Sequence, residues 1–247
     1  MTTPTPVPTP APPFVMPPGP VLRPPVALGR VAVALLALVI ATDLFAVWAD
    51  LAELDIAGDL ADGILSPGTL DRADRADTLY RAAGLAQTGA LLAAMVGYLC
   101  WLWRVRINAE VFNPGGQSKV RGWTIGAWFC PVVNLWFPRR IVLDIWDSSA
   151  EWAKRPGHAL VNCWWFGWIV SLLVYRVADG AYGRADTPAE IRDAARQILV
   201  SDVLDAVAAL LAVLVVLRIT RMQHARALAG PEPLPDSSRN VAETFFQ

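Results

Sequence analysis

The residues with most to explain are acids set inside apolar runs. Asp43 interrupts VAVALLALVIATDLFAVW, and Asp202 and Asp205 interrupt LVSDVLDAVAALLAVLVVL. An ionised side chain at the centre of a membrane helix costs about 2.5 to 3.5 kcal/mol on insertion scales, so each acid needs an explanation. In a four-span arrangement all three fall in the outer parts of their helices, where Arg81 and Arg176 sit at similar depth as candidate partners. The plainer reading makes them interfacial groups near helix ends, paired and partly wet. The functional reading is a polar outer vestibule that takes up a cation or a proton.

A second constellation lies in GWTIGAWFCPVVNLWFPRR, residues 122–140, which is apolar and aromatic yet broken by Pro131, Asn134 and Pro138. Proline removes a helix hydrogen bond and disfavours helix at the residue before it. Carbonyls freed at membrane depth must be buried in protein or face a water-filled cavity. Asn134 is placed to cap them, anchoring the helix after the break, or to contact a permeating solute as in channel and transporter breaks. The anchoring reading is preferred. Nearby, Trp164 and Trp168 are four apart and, with Trp123, Trp128 and Trp146, form a candidate aromatic box for a quaternary ammonium or lipid headgroup. An ordinary interfacial aromatic belt is the simpler expectation, because ten of the 11 tryptophans fall between 101 and 168.

Other chemistries find no support. His158 and His224 lack metalloprotease spacing, and there is no Gly-flanked Ser elbow, P-loop or paired-aspartate protease motif. Cys100, Cys130 and Cys163 have no paired spacing and read as small buried hydrophobes. No catalytic residue, metal site or cofactor is expected. A net charge of −1 with no large Lys/Arg cluster argues against nucleic acid.

The elements that position these residues are set by composition. The 247 residues are 55% hydrophobic with mean hydropathy +0.40, which is membrane composition. A ~30 Å hydrocarbon core needs about 20 helical residues, and the stretches 26–48, 82–103, 159–177 and 199–217 are long enough. Between Trp123 and Pro138 the apolar run is too short and is broken. If it enters and leaves on one side, that side carries 13 basic residues (Arg23, Arg30, Arg104, Arg106, Lys119, Arg121, Arg139, Arg140, Lys154, Arg155, Arg218, Arg221, Arg226). The other carries 7 (Arg72, Arg75, Arg81, Arg176, Arg184, Arg192, Arg196). If it spans, the asymmetry vanishes, so the positive-inside rule favours a re-entrant hairpin with both termini cytoplasmic.

Residues 138–153 then read as an interfacial amphipathic helix, with a stripe of Val142, Trp146, Ala150 and Ala153 and a solvated stripe of Asp144, Asp147 and Glu151. The i,i+4 pairs Arg140 with Asp144 and Glu151 with Arg155 belong to that wet face. On the outer side Ser66 is a helix N-cap with Pro67 at the first position, and the charged run after it, with Asp71–Arg75 and Asp77–Arg81 pairs, is expected to continue into the second span. Gly89, Ala93 and Gly97 form a small-residue stripe for close contact within the bundle or between copies. Residues 1–25, with 11 of the 20 prolines, and 227–247 are expected to be disordered cytoplasmic tails, with no signal peptide at the start.

The runs YLCWLWRVRINAEVF, RGWTIGAWFCPVVNLWFPRRIVLDIWDSSAEW and LVNCWWFGWIV resemble a bacterial integral-membrane family catalogued as domain of unknown function 4328. The resemblance rests on Trp103 with Arg104, Gly122 with Trp123, Trp128 to Pro131, Asn134, Leu135, Pro138, Asp144 to Trp146, and Trp164 with Trp165, and it covers about residues 80–220. It implies a bacterial cytoplasmic membrane and supplies neither substrate nor catalytic residues. The expected fold is therefore an all-α membrane protein of four transmembrane helices, a Pro-broken re-entrant hairpin and an interfacial helix. The leading expectation for function is non-enzymatic binding, as a scaffold or regulator using helix 138–152 and the tails. The alternative is a small-solute or ion pathway through Asn134, Asp43, Asp202 and Asp205.

Overall fold

The computed structural model describes residues 21–64, 66–151 and 157–229, and every regular element among them is helical. In chain order these are α1 (Val26–Ala61), α2 (Pro67–Phe112), α3 (Trp123–Gly126), a 3-10 turn (Val133–Leu135), α4 (Phe137–Ser149), α5 (Ala159–Tyr182) and α6 (Pro188–Ala229). Four of them, α1, α2, α5 and α6, are long and apolar enough to cross a membrane. Large apolar side chains such as Leu38, Leu85, Leu92, Val96, Phe166 and Leu210 face outward from them, as suits contact with lipid. Most of residues 1–25 and 227–247, and Trp152 to Arg155 with their Glu151–Arg155 pair, lie outside the described residues.

A common seam explains why these helices pack. On α1 it runs Gly29, Ala32, Leu36, Val39, Asp43, Ala46, Asp50, Glu53, Ala57, and on α6 Ala195, Ile198, Asp202, Asp205, Ala209, Ala212, Val216, Ile219, Gln223, alternating steps of three and four. That 3.5-residue period keeps one face against a neighbour over many turns, as in a coiled coil. On α2 the same period runs through Tyr80, Ala83, Gln87, Ala90, Ala94, Gly97 and Trp101. The helices stand in the order α2, α1, α6, α5, so that α2 and α5 form the two edges. The edges meet through aromatic side chains: Tyr80 stacks on Tyr182 at 5.5 Å and Tyr98 meets Trp164 at 6.2 Å.

The two ends of the bundle differ. The tail end, where α1 begins and α6 finishes, holds the large core of Trp101, Leu102, Ile145, Trp146, Trp164, Trp165 and Ile219. There α1 and α6 close up because Gly29 has no side chain; a Cβ would lie 2.7 Å from Thr220 Oγ1, which accepts a bond from Trp101 Nε1 at 3.0 Å. Asn108 pairs with both backbone groups of Arg23, accepting its N–H at 3.1 Å and donating to its carbonyl at 2.8 Å. Gln223 accepts from Asn108 and donates to the Val105 carbonyl and Ser149 Oγ, so both tails root at this end. Toward the loop end the packing is mostly alanine, with clusters of Ala46, Ala49 and Ala83 and of Ala90, Ala94 and Ala209.

Several expectations change. Ser66 does cap α2, accepting from Thr69 N–H at 3.1 Å, Asp77 pairs with Arg81 at 2.7 Å, and α2 runs unbroken into its apolar half. But α1 and α6 outrun their hydropathy, α1 continuing to Ala61 and α6 starting at Pro188. The overrunning segments still carry the small-residue seam, so they stay helical beyond the apolar stretch. Helix α4 ends at Ser149, not 153, because Ala150 is extended. Its expected wet stripe is not wet at Asp144, which is buried under the 113–122 loop. It accepts from Ser118 N–H at 2.9 Å and Ser118 Oγ at 2.5 Å, with Arg140 at 3.1 Å. Cys100 and Cys163 are exposed on the protein surface and Cys130 is half-buried, so none is the core residue expected. Of the small-residue stripe, Gly97 lies against Leu35 of α1, whereas Gly89 has open space beside it.

Candidate functional site

The acids singled out in the sequence come together in one polar layer. Gln87 of α2 reaches between α1 and α6 and donates from Nε2 to Asp43 Oδ1 and Asp202 Oδ1, each at 3.2 Å. One turn further along α6, Asp205 Oδ1 lies 3.2 Å from Ser171 Oγ of α5, which shares its one hydrogen with the Trp168 carbonyl at 3.0 Å. Asp50, seven residues after Asp43 on the α1 seam, lies within hydrogen-bonding reach of Asp202. Asp43 and Asp50 are 1% and 2% exposed, shielded by protein rather than by lipid. They are mid-helix, not near helix ends. Arg81 instead bonds Asp77 on the surface and Arg176 is exposed, so the expected cationic partners are elsewhere. Among the described residues no Lys, Arg or His bonds any of the four acids, and Asp43 Oδ2 and Asp50 Oδ2 find no donor.

Just toward the tail end of this layer stands the broken stretch. Residues 123–137 fold back on themselves, since Trp123 and Phe137 rings meet edge-on at 5.3 Å. Trp128 projects from the fold-back into the gap between the edge helices, 5.5 Å from Tyr98 of α2 and 6.5, 6.1 and 5.8 Å from Trp164, Trp165 and Trp168 of α5. All five tryptophans proposed as a box belong to or pack against one core cluster, with Trp128 filling its middle. This is a wedge, not an open cage. The freed carbonyls find protein partners: Leu135 accepts from Trp165 Nε1 at 3.1 Å, and Cys130 accepts from Asn134 N–H at 3.0 Å. Asn134 itself does not cap them with its side chain, whose Oδ1 is buried without a bond.

Comparison with protein families matches residues 66–221 to the family described as Domain of unknown function (DUF4328), more than half of the chain. The chain belongs to that family. No curated protein and no solved structure matches it. In this DUF4328 protein the matched region opens at the Ser66 cap and takes in Gln87, the Trp128 wedge, α4, Ser171, Asp202 and Asp205. Asp43 and Asp50 come from α1, outside it.

Asp50 and Gln87 are the site residues that sequence reading missed. For Asp50 a signal existed, because it repeats Asp43 at the seven-residue period of the seam. Gln87 sits in the small-residue run AAGLAQTGA at the start of the second apolar stretch, and nothing local marks it as the bridge.

Proposed function

We propose that this protein is a non-enzymatic protein of the bacterial cytoplasmic membrane whose polar layer forms a pathway for a small cation. The observation that carries the reading is the Gln87 amide held between Asp43 and Asp202, within a layer contributed by four helices and containing, among the described residues, no basic side chain. Buried carboxylates without a partner are strongly disfavoured, and intramembrane acids facing a bundle interior mark ion and proton routes. In the orientation proposed, the tail end faces the cytoplasm with the 13 basic residues, and the loop end faces out with 7. Residues 122–138 enter from the cytoplasmic side and return, their exposed Phe129, Val132, Leu135 and Trp136 in contact with acyl chains. Trp128 closes the layer from that side.

A scaffold or regulatory role keeps the tails and the exposed Arg140, Asp147 and Glu151 as its surface, but the apolar stripe of α4 is already taken up by the fold. The pathway reading is tested by ion flux into proteoliposomes across a panel of cations. Flux above protein-free vesicles, lowered by Asp205→Ala, supports it, and Asn134→Leu tells whether the break lines the route. Flux equal to empty vesicles for every ion would refute it.

A further inference from the structure

Resting on that pathway reading, we propose that the cation taken up is the proton, held between Asp50 and Asp202. Four carboxyls share the layer, yet the neutral donors described for it are the Gln87 amide and the Ser171 hydroxyl. Asp43 and Asp50 each keep one oxygen, Oδ2, buried and without a donor. Hydrogen bonding cannot neutralise that many acids. Ionised carboxylates only accept hydrogen bonds, so two of them within bonding reach of each other must hold a proton between them.

A metal ion fits the site less well. Among the described residues no three His, Cys, Asp or Glu side chains converge with metal-ligand geometry. The Gln87 amide bridges both acids only by turning its N–H groups toward them, the side that repels a metal ion. Among the described residues, the groups near the pair on each packed element are also without positive charge. Glu53 stands beside Asp50 on α1, Tyr80 faces it from α2, Tyr175 and Tyr182 from α5, and Asp205 comes next on α6. Arg81 and Arg176 reach the tyrosines, not the pair. A cavity of about 220 Å³ between α1, α2 and α6, lined by Glu53, Asp74 and Asp77, opens one helical turn beyond Asp50 toward the loop end. Glu53, which lines that cavity, is the acid next to Asp50 on the α1 seam.

The test is infrared spectroscopy of the full chain in lipid nanodiscs at neutral pH, reading the C=O stretch of protonated carboxyls. One shared proton predicts a band in the wild type that is lost to the same extent in Asp50→Asn, Asp202→Asn and the double variant, and that is unchanged when sodium replaces potassium. A double variant losing twice as much as either single would mean two separate acids and would overturn the shared site. Absence of the band from folded wild type overturns it however the variants fold. A band without proton flux would leave the site standing and remove the pathway; sodium or potassium flux without a band would do the reverse.

Discussion

Val132 sits at the tip of the fold-back with φ 68° and ψ −56°, and the Val133 N–H bonds the Pro131 carbonyl at 2.8 Å, which makes a γ-turn of the positive-φ kind. A β-branched residue there is strained by an amount on the order of 1–3 kcal/mol. Val132→Gly is therefore expected to raise the stability of the detergent-solubilised protein by ~1 kcal/mol, read as an increased melting temperature; a decrease would mean that the turn is not formed. Residues of this kind show what the sequence hides. Pro131 and Pro138 announced a break, but which residue absorbs the reversal depends on Trp165 holding the Leu135 carbonyl from another helix. Asp144 is similar: it reads as half of an exposed Arg140 pair until the Ser118 loop, 26 residues away, is laid over it.

Between elements, two contacts carry the tail end. Trp128 joins the fold-back to both edge helices, so Trp128→Ala leaves a cavity where α2 and α5 meet, at a cost of about 3–5 kcal/mol. Cysteine accessibility at the naturally exposed Cys163 provides a control that the bundle itself persists. Asn108 joins the N-terminal segment, α2 and α6, and its replacement by Ala strands the Arg23 backbone and Gln223. Amide exchange at Arg23 is expected to accelerate in Asn108→Ala while α2 keeps its protection; unchanged exchange would show that the segment is held by something else. The existence of the four long helices was readable from hydropathy, because each carries an apolar run of spanning length. Their ends were not, since WADLAELDIAGDLA leaves the apolar run yet keeps alanine and acid at seam spacing, a pattern that specifies packing against a neighbour and not immersion in lipid.

At the scale of the whole molecule, an alanine-lined half containing acids is joined to an aromatic half that roots both tails. Orientation rests on charge asymmetry and is open to chemistry. In a background lacking Cys100, Cys130 and Cys163, cysteines introduced at Asp147 or Glu151, both exposed, are expected to resist an impermeant thiol reagent in intact cells and react after lysis. A cysteine at the exposed Arg184 is expected to react from outside. Labelling of Asp147→Cys in intact cells would invert the proton's direction of approach. The most direct test of the polar layer is proton uptake into proteoliposomes carrying an internal pH-sensitive dye, started by acidifying the medium. Internal acidification faster than in protein-free vesicles, abolished by Asp202→Asn in protein that still purifies as a folded species, is the expected result. Wild-type vesicles indistinguishable from empty ones, or an Asp202→Asn variant as active as wild type, would contradict it.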